Sequence, residues 1–245
     1  MTDYAPFRHY ITAKLDLVIA NESNRSAFGP SITLSRQAGA RAVSIGEKLV
    51  EHLKCRSSYL DSNWTLFDQN LVKTIIEDNH LPPDVEPQML EDHVHLMTDV
   101  ISEVFKTKLS DWTLFDHSVH TIRKLCQMGH AVVVGRGGNF MTQDLANTFS
   151  VRLVGSFEQR LKHVQKKFGM TEKAAESYIN DKDAGRRRYV KSHLHQNIDD
   201  PTVYDMVLNT DDLSDDSVVA IITQALEEWA RESVKNVGAG NVDLK

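Results

Sequence analysis

Apolar positions along the chain change their spacing several times, and each change marks an element. Phe7, Ile11, Leu15 and Val18 recur every three or four residues, which predicts a helix over 7–20. A polar stretch follows and ends in Gly29-Pro30, reading as a linker into the next unit. Ser31-Ile-Thr-Leu-Ser35 is a short β-rich run, after which Ile45, Leu49, Val50 and Leu53 return to helical spacing over 43–53. Leu66 to Ile76, with Asp68 as the N-cap, predicts another helix, closed by Leu81-Pro82-Pro83. Longer helical patterns cover 89–105 and 114–128.

Gly129-His130 stops the last of these, and Ala131-Val-Val-Val134 runs on without alternation. Such a run suits a strand covered on both faces of a parallel sheet. Phe149 to Val154 is a second strand, interrupted by Arg152, and Asp205 to Leu208 a third. Between and after them, 157–168, 171–190 and 214–234 are helical by period, and 237–245 is expected to fray. Strands alternating with helices imply right-handed crossovers and a parallel sheet. Ligands of such sheets bind beyond the carboxyl ends of the strands. That rule selects 36–44, 135–139, 155–156 and 209–210.

Composition narrows the function classes. The 245 residues are 41% hydrophobic and 25% charged, which fits a globular chain rather than a disordered one. A formal charge of -6 argues against partners that are nucleic acid or anionic membrane. No apolar run approaches the roughly 20 residues of a bilayer span, and the N-terminus carries no leader pattern, so the expected location is the cytoplasm. Cys55 and Cys126, without CxxC spacing, read as small hydrophobes in a reducing compartment. His93/His95 and His193/His195, each two apart, would point to different sides of a helix and make no metal clamp.

Three places could carry chemistry. Ser35-Arg36-Gln-Ala-Gly39-Ala40-Arg41-Ala42-Val43-Ser44 leads from a strand into a helix, where amides and the helix dipole favour a phosphate. It lacks the GxxxxGK[ST] pattern, with one glycine and no lysine before Ser44, so an ordinary strand-to-helix turn stands beside the phosphate reading. Gly135-Arg136-Gly137-Gly138 places a guanidinium suited to a phosphate or base edge at the ligand end of a buried strand. Asp183 to Lys191 turns strongly basic through Arg186, Arg187 and Arg188, ahead of a flap-like polar stretch over 193–201. Arginines on a closing flap neutralise a transferring phosphoryl group; a solvated charged face is the plain alternative.

Together these segments resemble the cytidylate kinase-like family of P-loop nucleoside monophosphate kinases. The resemblance lies in Ile32-Thr-Leu-Ser-Arg-Gln-Ala-Gly39, Leu66-Phe-Asp-Gln-Asn-Leu71, Val133-Val-Gly-Arg-Gly-Gly-Asn139, Lys182-Asp-Ala-Gly-Arg186 and Tyr204-Asp-Met-Val-Leu-Asn-Thr210. It implies an α/β three-layer fold, a five-stranded parallel sheet flanked by helices, with a helical lid (about 171–201), a helical insert (about 68–128) and an extra N-terminal helix. The kinase-like domain would span 29–236, behind an N-terminal helix and linker over 1–28. ATP with Mg as donor and a nucleotide acceptor are likewise implied.

By position, Arg36 and Gly39 to Ser44 would wrap the donor phosphates, with Ser44 as the magnesium ligand. Asp68, Arg136 and Gly137 would meet the acceptor, and Asp183, Arg186 and Arg188 would act from the lid. The loop departs from the family's GSGGR, with Arg41 and Ala42 in place of two glycines and Val43 in place of the basic residue. Two expectations follow: a small-molecule nucleotide kinase, or a kinase-derived nucleotide-binding protein without turnover. The N-terminal helix is expected to pack on the domain or to form a homodimer contact.

Overall fold

The computed structural model describes Tyr10 and residues 29–56, 64–68, 111–135 and 137–239. Five strands form one sheet: β1 (Ser31–Arg36), β2 (Thr65–Asp68), β3 (Ala131–Val134), β4 (Thr148–Val154) and β5 (Met206–Asn209). Their spatial order is β2-β3-β1-β4-β5, and every pairing is parallel. Among the described residues the helices are α1 (Ala42–Arg56), α2 (Asp111–Gln127), α3 (Gly138–Met141), α4 (Phe157–Phe168), α5 (Glu172–Leu194) and α6 (Asp215–Ala239). The sheet is thus flanked by helices in three layers.

The uninterrupted β-branched run of β3 is explained by its two covered faces. Val132 and Val134 join Ile32, Leu34, Ile45, Leu49, Val151, Leu153 and Ile222 in a cluster under α1 and α6. Ala131 and Val133 join Phe67, Ile122, Leu125, Cys126 and Met141 under α2 and α3. Burying each large side chain contributes about 1.5–3 kcal/mol. Cys126 behaves as the small hydrophobe expected, whereas Cys55 is exposed, and both thiols are free.

A segment read as helix is a strand, and α3 (Gly138–Met141) was not anticipated. Leu66 and Phe67 belong to strand β2, not to a helix starting at Asp68. Two adjacent apolar residues fit either period, and pairing decides: Thr65–Asp68 aligns with Ala131–Val134, sending Leu66 to the α1 side and Phe67 to the α2 side. Asp68 is therefore the last residue of β2 rather than a helix cap. The helix expected over 89–105, the remainder of 66–76 and the helical insert as far as 110 lie outside the described residues. So does the N-terminal helix apart from Tyr10, which is helical and fully buried, with its ring edge on Phe67 and its hydroxyl 2.7 Å from Gly129 O. The tail expected to fray from 237 is still helical to Ala239.

Several connections take shape at the carboxyl ends of β1, β3 and β4. Ser156 caps α4 by accepting from Gln159 N–H, and Gly169 closes it in the left-handed region. Thr171 caps α5, which runs past the predicted end at Val190 to Leu194 and stops at left-handed His195. Val164 of α4 packs with Ala175 and Ile179 of α5 and with Ala38 of the loop after β1. Val190 of α5, Phe140 of α3 and Ile198 of the following turn form another small cluster. The segment expected to be a flap is in this way tied to the sheet end by apolar contacts.

Candidate active site

The loop after β1 is held by its neighbours on both sides. Arg36 Nη1 donates to Gly135 O at 2.7 Å, joining it to the loop after β3. Gln37 N–H donates to Leu153 O, and Gly155 N–H donates to Gln37 Oε1, both at 3.0 Å. Ala38 is enclosed in a ring of polar contacts: its N–H donates to Asp183 Oδ1 (2.7 Å), while Arg160 Nη1 reaches Ala38 O (3.0 Å) and Asp183 Oδ2 (2.8 Å). Arg186 Nη1 approaches Asp183 Oδ1 at 3.1 Å, so one buried carboxylate joins loop, α4 and α5.

Gly39 needs to be glycine for two reasons. Its φ is +85°, and a Cβ there would stand 2.7 Å from Arg160 O. The close approach is to α4. Gly137 is similar: φ is +75° and a Cβ would meet Leu194 Cδ1 at 2.5 Å.

Arg41 takes a left-handed conformation, φ +59°. For an L-residue this costs about 1–2 kcal/mol. The side chain offsets that cost through Nη2 bonds to Thr210 O (2.6 Å) and Leu213 O (2.7 Å), and through an ion pair with Asp215 at 2.7 Å. The guanidinium thus faces the β5–α6 turn. Ser44 Oγ lies 3.0 Å from Arg41 O and 3.1 Å from Asp215 Oδ2. Nearby on α4, His163 is held below the usual histidine range first by burial, then by Lys167 and Arg41, with Asp215 opposing them.

Beside the loop is a small cleft lined by Arg36, Gln37, Arg152, Asp183, Arg186, Arg187, Ile198 and Asp199. Four guanidiniums against two carboxylates leave an excess of two positive charges, the charge complement of a phosphate monoester dianion. Arg forks bind such oxygens bidentately.

Arg36, Asp183 and Arg186, all singled out in the sequence, meet in this cleft. Arg188 is exposed and is not among its lining residues, nor are Asp68 and Gly137. Arg136 lies outside the described residues. Sequence reasoning missed Arg152, Arg160, Gln37 and Asp199. Arg152 did leave a signal, since a charged residue inside an otherwise apolar strand is rarely buried without a partner; the others left none.

The sequence profile of the cytidylate kinase-like family matches residues 31–212, about three quarters of the chain. The chain belongs to the cytidylate kinase-like family. Membership gives it a kinase-like, nucleotide-related function in general terms, with nucleotide and metal use as the family's general chemistry. A solved structure of an uncharacterized protein from Eubacterium ventriosum ATCC 27560 has the same fold, with a TM-score of 0.60 at 18% identity over 81% of this chain and 98% of that one. No curated protein matches. Among the described residues no helix is long and apolar enough to cross a membrane, and no group of three or more His, Cys, Asp or Glu could hold a metal.

A nucleotide phosphate and a magnesium ion fare differently in this cytidylate kinase-like chain. The N–H groups of Ala42, Val43 and Ser44 open a 15-residue helix and have no acceptor within it. Those amides fit a donor phosphate. The magnesium position expected at Ser44 does not fit, because its hydroxyl is shared between Arg41 O and Asp215. The space beside that carboxylate already holds the Arg41 guanidinium, whose charge repels a divalent cation.

Proposed function

We propose that this chain is a nucleotide kinase that moves the γ-phosphoryl group of ATP to a nucleoside monophosphate, giving ADP and a nucleoside diphosphate. The observation that carries the reading is the cleft at the end of β1 and β4, whose four arginines and two aspartates match a phosphate monoester in charge. Arg36, Arg152, Arg186 and Arg187 hold the acceptor phosphate there, while Arg136, Gly137 and Asp68, on the loop after β3 and the end of β2, serve the rest of the acceptor.

The donor phosphates lie along the loop, on Gly39, Ala40, Arg41, Ala42, Val43 and Ser44, with the amides at the start of α1 as the principal donors. ATP, when bound, supplies the phosphoryl group. The residues from 171 to 201 form the lid, on which Asp183 orients Arg186, and Arg188 braces the group in transfer. The protein's share of catalysis is positioning and charge neutralisation.

A second reading has its own observation. Asp183 occupies the Ala38 amide and the Arg41 guanidinium is turned to the β5–α6 turn, which suits a kinase-derived protein that binds a nucleotide without turnover. A panel of nucleosides and nucleoside monophosphates, each with ATP and magnesium, separates the two. Turnover of at least one monophosphate is expected, reduced about tenfold or more by Arg186→Ala, as for the loss of one charge-assisted contact in a transition state. Inactivity across the panel, with a monophosphate still raising Tm, replaces the kinase with the binding protein.

A further inference from the structure

The turn between α5 and β5 contributes a group that no family motif marked. Arg152 rises from the middle of β4 and is only 6% exposed, so its charge needs a counter-ion. Ser35 Oγ (3.2 Å) and the Tyr204 hydroxyl (3.3 Å) are neutral, and the Tyr204 ring 5.5 Å away adds a cation–π contact. The counter-charge comes from Asp199, whose Oδ1 accepts from Arg152 Nη2 at 2.7 Å. The other oxygen of the same carboxylate accepts from Arg187 Nε at 2.6 Å. Arg187 is 54% exposed on α5 and is drawn toward the cleft by this bond.

Asp199 is itself fixed. Ile198 is buried between Phe140 and Val190, its carbonyl accepts from the Tyr204 hydroxyl at 2.9 Å, and Asp199 N–H donates to Asn197 Oδ1 at 3.1 Å. The carboxylate therefore bridges β4 and α5 through a turn that has its own anchor in the core.

We propose that Asp199 is a positioning residue of the phosphate cleft: it sets the separation and direction of Arg152 and Arg187 so that both present donors to one phosphate. The proposal rests on the nucleotide-phosphate reading of the cleft. The rival role for the same contacts is a placeholder, a carboxylate that occupies the two arginines and must leave before a phosphate enters. The two roles predict opposite signs, because removing a scaffold weakens binding and removing a competitor strengthens it.

Calorimetric titration of the full chain with CMP and with inorganic phosphate tests this. Asp199→Ala is expected to weaken both about tenfold or more, the usual scale for truncating one partner of a close charge pair. Asp199→Asn, which keeps the shape and an acceptor oxygen, is expected to lie between Asp199→Ala and the wild type, and serves if the alanine variant does not fold. In an Arg187→Ala background the effect of Asp199→Ala should shrink by roughly threefold or more, since part of its action runs through that arginine. Unchanged or tighter binding in either Asp199 variant overturns the proposal, as does an equal loss in both backgrounds. If the wild type binds neither CMP nor phosphate, the reading of the cleft falls and this proposal with it; wild-type binding with an insensitive Asp199 removes the proposal alone.

Discussion

Asp183 and Ala38 are 145 positions apart in sequence, and the carboxylate of one accepts the backbone N–H of the other at 2.7 Å. The same carboxylate pairs with Arg160 and Arg186, and all three side chains are largely buried. A single side chain thus fastens the loop after β1 to two helices. Removing it leaves two guanidiniums without their shared anion and a buried amide without its acceptor.

Asp183→Ala should therefore destabilise the fold by about 3 kcal/mol, the lower end of the cost of breaking a buried ion pair by removing one partner. Urea unfolding followed by circular dichroism measures it. Asp183→Asn, which keeps an acceptor oxygen for Ala38 N–H, should lose less than the alanine variant. A loss below about 1 kcal/mol for Asp183→Ala would mean that water replaces the carboxylate at little cost.

Arg41 separates backbone strain from side-chain contact. Glycine and alanine at this position both delete the contacts to Thr210, Leu213 and Asp215, but only glycine adopts φ +59° freely. Arg41→Gly should thus be more stable than Arg41→Ala by about 1 kcal/mol. Both should be less stable than the parent chain if the three contacts outweigh the strain. Equal midpoints for the two variants would show that the loop relaxes out of the left-handed region once the side chain is gone.

The two thiols should differ in reactivity. Burial pushes the Cys126 thiol up to about 12, and its sulfur is inaccessible, whereas Cys55 is exposed on the last turn of α1. A thiolate is the reactive form, so near pH 8 a disulfide reagent should modify Cys55 alone in the folded protein. Cys126 should follow only when denaturant opens the α2–β3 core. Two fast thiols under native conditions would contradict the packing of Cys126 against Phe67 and Leu125.

Much of the architecture was legible from local pattern because a strand covered on both faces needs apolar residues at every position. Ala131–Val134 could be read so, and the helices over 157–168 and 171–190 were legible from their apolar period. The parallel sheet followed from the alternation of strands with helices, whereas the order β2-β3-β1-β4-β5 did not. The family match lay in segments short enough to survive in sequence, such as Val133 to Asn139 and Tyr204 to Thr210.

What sequence alone determined, then, was the set of buried faces, the class of fold and the glycine-poor character of the loop after β1, since each depends on residues close together in the chain. Tertiary structure alone decided that Leu66 and Phe67 form a strand, because the partner that fixes their period is Ala131–Val134. It alone turned Arg41 to the β5–α6 turn, and it brought Arg36, Arg152, Arg186 and Arg187 around one cleft with Asp183 and Asp199 between them. Charges act through space over a few ångströms, and no spacing along the chain records which of 28 cations will meet which of 34 acids once the sheet has closed.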